Sequence, residues 1–531
     1  MAQKVAVCQA DALKQGEMRQ FSVGDRKVLL ARFEDDFWAI APECPHAGAA
    51  LADGVMKDDR VVCPWHNACF SLRTGEMLEP PALEHLAKYP TSIEDGDVYV
   101  DFSEQGRIDA QQQDQQSVRK EQDSRTFAII GGGAAGCAAA QMLRQMKFSG
   151  RIVLLTDSDL APYDRTKLSK AYLQQDEAKE PDLLKHISFY ERYDIELKTA
   201  AKVSKLAVKE QTITYGNGEV IQYDALLIAT GSKVKKIPMD GSDLEGVFTL
   251  HQAQDARAVL EASKEAKKIV IVGSGFIGME VASSLNQQGL EVTIVTPNAV
   301  PFEKVLGKEI GQLMMQIHES HGVKFELESK AIAFKGEGKV TSVELENGKV
   351  LPADMVVVGI GVQPATDFIE DIALDDSDKS VPVNQYLQAA PGVYAAGDIA
   401  QFPHFMTGQP VRIEHWRLAM QHGRAAARNM VGESVAFKSV PFFWTGQYDV
   451  KLRYIGHAEG WDETIVQGSI EEKDFLVFYV KEKQILAVSG IGRDKEIAAI
   501  SQILGTSQMP GIESIRSQDI SWSEALSAVV K

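Results

Sequence analysis

The sequence predicts a multidomain chain: an N-terminal all-β domain, two α/β domains built on one repeated plan, and a C-terminal α+β domain. Three observations carry this. The first hundred residues are dense in short strand signals broken by Gly, Asp and Pro. A strand–glycine turn–helix–strand plan that starts at Phe127 returns at Ile269, about 140 residues later. Strand signals resume after about residue 440 and give way to amphipathic helices. At 531 residues the chain exceeds what one hydrophobic core can organise.

The N-terminal domain, 1–104, draws its strands from Val28–Phe33, Phe37–Ile40, Arg60–Val62 and Asp97–Val100. Residues 105–124 are polar and Gln-heavy, too poor in apolar side chains to bury a surface, and read as a linker. The first α/β domain spans 125–248 and 365–440, with strands at Phe127–Ile130 and Arg151–Leu155. The second, 249–364, has strands at Ile269–Val272 and Glu291–Val295. The C-terminal domain, 441–531, has strands at Leu476–Val480 and Ile485–Ser489.

Charge and composition exclude several classes of function. The 56 basic and 74 acidic residues leave a net charge of −18, a field that repels nucleic acid and anionic lipid. No apolar run reaches the roughly 18 residues of a membrane span. The start, MAQKVAVCQADALKQGEM, has no apolar signal core, and five cysteines do not make a disulfide framework. A cytoplasmic chain, monomeric or homodimeric, is expected, with cysteines free for metal chemistry.

Cys44-Pro-His46 and Cys63-Pro-Trp-His66 pair one sulfur with one nitrogen in each of two loops. Two thiolates and two imidazoles fit tetrahedral zinc or a [2Fe–2S] centre, and the spacing favours iron–sulfur. Cys44 and Cys63 would then share one iron, and His46 and His66 the other. These residues resemble the Rieske [2Fe–2S] ferredoxin family over roughly residues 3–103. High-potential members carry an extra cysteine in each loop, where this chain has Ala49 and Trp65. Asn67-Ala68 replaces the usual Gly-Ser and removes a hydroxyl that would bond a cluster sulfur. The resemblance therefore implies a potential at the low end of the range, on the order of −150 mV. Cys69, with no counterpart in the other loop, reads as a buried thiol.

Each α/β unit carries a glycine fingerprint: Gly131, Gly133, Ala135 and Gly136 in the first, Gly273, Gly275, Ile277 and Gly278 in the second. Both lie between an apolar strand and a helix, as in Rossmann-like dinucleotide sites, where the turn lets a pyrophosphate reach a helix N-terminus. Asp157, 21 residues past Gly136, is placed to accept ribose hydroxyls at the first site. The second has Thr296 there, without an Arg for a 2′-phosphate, so NADH is expected and NADPH is the alternative.

Ala229-Thr230-Gly231, Gly361 and Gly397-Asp398 follow in an order that resembles the two-dinucleotide flavoprotein reductases over residues 125–440. Pro162-Tyr-Asp-Arg-Thr-Lys-Leu-Ser-Lys170 resembles the FAD-contacting segment of oxygenase-system ferredoxin reductases and apoptosis-inducing factors. The resemblance implies that FAD occupies the first site and the nicotinamide the second. It places Arg165 near the pyrophosphate, Lys170 towards flavin N5, Glu280 as the partner of Lys170, and Gly397-Asp398 over the ribityl chain. Glu414-His415-Trp416 and Trp444 match positions lining the isoalloxazine. Residues 157–200 hold no cysteine, which argues against a thiol mechanism, and Cys137 reads as helix packing.

The whole chain resembles the Rieske-domain-containing relatives of apoptosis-inducing factor. This implies an NAD(P)H-dependent FAD oxidoreductase that passes electrons through its own cluster to an unidentified acceptor, which the −8 net charge of residues 1–104 suggests is a basic protein. Two rivals stand beside it: the reductase component of an oxygenase system, and a slow redox sensor.

Overall fold

The computed structural model describes residues 4–103, 108–109, 123–235, 239–506, 508–518 and 520–529. The N-terminal domain consists of antiparallel sheets, because its strands are short, alternate in burial and are joined by tight turns. One sheet of four strands, Val55–Lys57, Arg60–Val62, Cys69–Ser71 and Met77–Glu79, carries the second Cys–His loop between its middle strands. Of the 105–124 linker only Ile108–Asp109 and Asp123–Ser124 lie among the described residues. Ile108 and Asp109 pair with Lys88 and Ala87, so these two positions extend the β domain rather than leave it.

The first α/β sheet runs in the order Ile195–Lys198, Arg151–Leu155, Thr126–Ile130, Ala225–Ile228, Val393–Ala395, Gln388–Ala390, parallel except at the last strand. Its central strands are buried on both faces, as continuous apolar runs such as Phe127–Ile130 require. The helix Ala134–Gln145 begins with seven small residues, and this lets the helix Trp416–Met430 approach closely. A Cβ on Gly423 would stand 2.0 Å from the Ala135 carbonyl oxygen.

The second α/β sheet is wholly parallel: Val247–Thr249, Met355–Val358, Lys268–Val272, Glu291–Val295, Lys324–Glu326. Its first strand corrects the boundary expected at 248/249. Val247 pairs with Val356, and bridges join Asp240 to Ala333 and Glu245 to Lys339, so residues from 240 onward pack with the second domain. That strand is so short that its sequence alone reads as loop. The two domains are joined by Ser232–Val234 running antiparallel to Val362–Pro364.

The C-terminal domain is a five-stranded antiparallel sheet, Phe442–Gln447, Val450–Gly456, Gln484–Ile491, Asp474–Lys481, Glu463–Ser469, backed by the helices Asp494–Ile503, Ile512–Arg516 and Trp522–Ser527. Its core is shared. Val55, Val62 and Cys69 of the N-terminal domain lie in one apolar cluster with Phe442, Ile497 and Ile500. The N-terminal domain is thereby seated on the C-terminal one.

Candidate active site

The two Cys–His loops close in the same way. Cys44 N–H donates to Ala49 O and Gly48 N–H to Cys44 O; Cys63 N–H donates to Ala68 O and Asn67 N–H to Cys63 O. The fourth residue along, Gly48 or Asn67, adopts a left-handed conformation with φ +78° or +58°. Gly and Asn are the residues that take it at least cost, which explains their presence at matched positions. The matched turns bring like atoms together. His46 Nδ1 and His66 Nδ1 are 3.0 Å apart, and the Cys44 and Cys63 thiols are hydrogen-bonded to one another.

Among the described residues no three of His, Cys, Asp or Glu converge on a single point. The donors come instead as a sulfur pair and a nitrogen pair, which suits two bridged irons rather than one tetrahedral ion. Backbone N–H groups of His46 and Ala47 aim at the Cys44 sulfur, and those of Trp65 and His66 at Cys63. Such donors favour thiolate. Burial holds both imidazoles below the usual histidine range, in the neutral form that binds metal. The donor set fits the cluster. Cys69 is buried, and desolvation pushes its thiol up to about 12.

At each glycine fingerprint the backbone repeats. Gly131 (φ +114°) and Gly273 (φ +111°) start the turns, and a Cβ on either would lie 2.2 Å from a carbonyl oxygen of the neighbouring strand end, Ala229 or Gly359. Gly133 and Gly275 face open space with nothing within 4 Å, which is the room a pyrophosphate needs. Gly136 and Gly278 abut the Gly131 and Gly273 carbonyls. Ala135 and Ile277 lie on the helices that follow, Ile277 exposed. Asp157 is exposed just past its strand, whereas Thr296 is buried and hydrogen-bonds Ser274 Oγ at 2.8 Å.

Lys170 and Glu280 meet. Lys170 Nζ lies 2.8 Å from Glu280 Oε2, with Glu280 only 4% exposed. Ser169 Oγ donates to the same oxygen and Thr445 Oγ1 to Oε1 at 2.7 Å. Arg165, on the turn Arg165–Lys167, lies over Tyr163 and acts electrostatically on Asp398. Gly397 has φ +78°, and its N–H donates to His422 Nδ1. Asp398 accepts from Ser232 Oγ at 3.2 Å; desolvation, then the nearby Glu414 charge, push its carboxyl up to about 6. Thr230 Oγ1 donates to Ala365 O, and Gly231 and Gly361 are left-handed. Glu414 is tied to Arg412 at 2.6 Å, the His415 ring packs tilted on Phe443 with centroids 4.7 Å apart, and Trp416 opens its helix.

Trp444 contacts the two Cys–His loops: its ring centroid is 4.4 Å from that of His66 and 6.0 Å from that of His46. Arginines that sequence reasoning did not single out hold this arrangement. Arg417, fully enclosed, donates to Pro80 O and Asn67 O, and Arg453 donates to Trp65 O while paired with Asp494. Lys185 bonds Leu83 O and Glu84, and Gln421 bonds Glu79. Nothing local marks these residues, because their partners in the N-terminal domain lie between about one hundred and four hundred positions away.

Comparison with known proteins assigns the parts. Residues 3–90 match the Rieske [2Fe–2S] domain, 125–423 the pyridine nucleotide-disulphide oxidoreductase family, and 442–525 the reductase C-terminal domain. The chain belongs to the pyridine nucleotide-disulphide oxidoreductase family. Human Apoptosis-inducing factor 3 is 37% identical over 513 residues, covering 95% of this chain and 84% of that protein. Rhodocoxin reductase of Rhodococcus erythropolis is 32% identical, covering 72% and 90%. The ferredoxin reductase of the CYP199A2 system from Rhodopseudomonas palustris superposes with a TM-score of 0.72 at 28% identity, covering 76% and 100%. The covalent putidaredoxin reductase–putidaredoxin complex also gives 0.72, at 27% identity, covering 76% and 99%.

This family member is thus an FAD-dependent NAD(P)H oxidoreductase of the ferredoxin-reductase type, with FAD, NADH and a Rieske cluster as cofactors. The disulphide in the family's name has no counterpart here: no cysteine follows Cys137, which is buried with its sulfur 3.6 Å from Tyr190 Oη. Among the described residues no helix is long and apolar enough to cross a membrane.

Proposed function

We propose that this chain oxidises NADH and delivers the electrons, through its own Rieske domain, to a further one-electron acceptor. The observation that carries the reading is the seating of His66 against Trp444, on a face held by Arg417 and Arg453. Bound FAD supplies a hydride acceptor that releases electrons singly, and the [2Fe–2S] cluster supplies a one-electron carrier.

The residues divide the work. Cys44, Cys63, His46 and His66 hold the cluster. Gly131, Gly133, Ala135 and Gly136, with Asp157, Arg165, Ala229–Gly231, Gly397 and Asp398, hold FAD. Gly273, Gly275, Ile277, Gly278 and Gly361 hold the nicotinamide cofactor. The Lys170 ammonium, fixed by Glu280, offers positive charge where negative charge develops on reduction. Glu414, His415 and Trp416 close the flavin cavity. Trp444, packed on the His66 ring, stands on the side of that cavity nearest the cluster. The separate ferredoxin partner named in the putidaredoxin complex corresponds, in this reading, to the chain's own first domain.

The test is the full chain carrying Cys44→Ala and Cys63→Ala. NADH-driven ferricyanide reduction should persist and cytochrome c reduction should be lost. Equal retention of both would show that electrons leave without the cluster.

A further inference from the structure

Glu280 is gripped from three domains. It projects from the helix Phe276–Gln287 of the second α/β domain. Its Oε2 accepts from Ser169 and Lys170 of the first, and its Oε1 accepts from Thr445 of the C-terminal sheet. Behind Thr445 the contacts continue. Gln447 Nε2 donates to Thr445 Oγ1 at 3.1 Å, and Gln447 Oε1 lies 2.9 Å from His318 Nε2. Thr445 and Gln447, two apart on one strand, share its inward face. All four side chains are enclosed: His318 0%, Gln447 1%, Thr445 2% and Glu280 4% exposed.

The donor inventory fixes the direction of every bond. An amide oxygen only accepts, so His318 carries its proton on Nε2 and donates to Gln447. The Gln447 NH₂ then donates to the Thr445 oxygen. The single Thr445 hydroxyl proton is left to point at Glu280 Oε1. A turned Gln447 amide would set two acceptors against that one proton. Three donors in series therefore end on one carboxylate oxygen, each polarising the next. His318 suits the role: burial holds it neutral, down to about 4, and its Nδ1 has no partner.

Resting on the assignment of Lys170 and Glu280 above, we propose that Thr445 is a positioning residue, with Gln447 and His318 as its supports. These bonds hold the Glu280 carboxylate in one rotamer, and so keep the Lys170 ammonium aimed into the flavin cavity. Lys170 and Ser169 occupy only one carboxylate oxygen. Without Thr445 the other would be buried and unsatisfied, and the carboxylate would turn away from its present rotamer.

The experiment compares Thr445→Val, which removes the hydroxyl at constant shape, with Thr445→Ser, which keeps it, and with Glu280→Gln. The readouts are the rate of flavin reduction by NADH in stopped flow and the flavin midpoint potential by spectroscopic titration. Thr445→Val should lower the rate about tenfold, the weight of one hydrogen bond to a charged group, and make the potential more negative. Thr445→Ser should restore both. If Thr445→Val fails to bind FAD, Gln447→Met carries the comparison, with a smaller change in the same direction. Wild-type behaviour in Thr445→Val beside an impaired Glu280→Gln overturns the chain alone. Equal impairment in Thr445→Val and Thr445→Ser also overturns it, since that is a packing effect. A wild-type Glu280→Gln overturns the assignment of the Lys170–Glu280 pair as well.

Discussion

The imidazole of His66 and the indole of Trp444 stand with ring centroids 4.4 Å apart and planes inclined at 49°. One belongs to the second Cys–His loop, the other to the first strand of the C-terminal sheet. Neither ring would reach the other without the shared core beneath them, in which Val55, Val62 and Cys69 pack with Phe442 and Ile497.

Replacement of Trp444 by Leu should slow reduction of the cluster by the flavin about tenfold, equivalent to ~1.4 kcal/mol on the barrier. NADH–ferricyanide turnover should be unchanged. Rapid-freeze EPR of the reduced cluster after single-turnover mixing measures this. An undiminished rate would remove Trp444 from the route.

Arg417 satisfies two carbonyl oxygens of the Rieske domain, Pro80 O at 2.8 Å and Asn67 O at 3.1 Å, from an enclosed position. Arg417→Met leaves both without a donor and should weaken the seating by about 1.5–3 kcal/mol. Arg417→Lys should recover only part, because a point ammonium cannot span both carbonyls as a planar fork does. Limited proteolysis of the segment between the first two domains, faster in Arg417→Met than in wild type, is the readout.

Burial keeps five histidines neutral: His251, His318 and His404 at about 4, His415 and His422 at about 3. For three of them a ring nitrogen is enclosed without a partner on a side chain 2% exposed or less, namely His318 Nδ1, His404 Nε2 and His422 Nε2. Their folded pKa values lie below the unfolded value, so the unfolded chain binds more protons on acidification. Stability is therefore full above about pH 6.5 and falls as the pH drops through the window down to about 3. Asp398, raised to about 6, works the other way, giving stability at low pH that is lost as the pH rises through 6. With Asp494, also raised by burial, that is two groups against five, so acid destabilisation wins. Urea unfolding at pH 5 should show a midpoint below that at pH 7, with a loss on the order of a few kcal/mol. The His422→Gln variant should show a shallower dependence.

Gly423 lets two helices touch, and a Cβ there would lie 2.0 Å from Ala135 O. Gly423→Ala should force the helices apart, destabilise the fold by about 1–3 kcal/mol or more and lower FAD content, since Ala135 sits behind the first glycine turn. Gly511→Ala, which meets nothing within 4 Å, is the control. Differential scanning calorimetry and flavin absorbance after purification decide it.

Much of this site is legible in the sequence. The pairing of Cys44 and His46 with Cys63 and His66 is legible because each loop has its own tight turn, which keeps its sulfur and imidazole a few residues apart. The glycine fingerprints are legible because a tight strand-to-helix turn excludes Cβ at fixed offsets, here Gly131, Gly136, Gly273 and Gly278. Strand positions followed from alternation and apolar runs. The strand Val247–Thr249 was missed because a three-residue edge strand carries too few positions for any period to declare itself.

The local chemistry was determined by the sequence: which atoms can bind metal, where a dinucleotide can approach a helix, and that no thiol follows Cys137. Only the tertiary structure decided what those local pieces face. His66 meets Trp444, Arg417 caps the carbonyls of Asn67 and Pro80, and His318, Gln447 and Thr445 line up behind Glu280. The reason is physical. A turn or a ligand loop is fixed by the stereochemistry of neighbouring residues. A contact between distant residues is fixed by how whole sheets and helices bury their apolar faces, and that leaves no period or spacing along the chain.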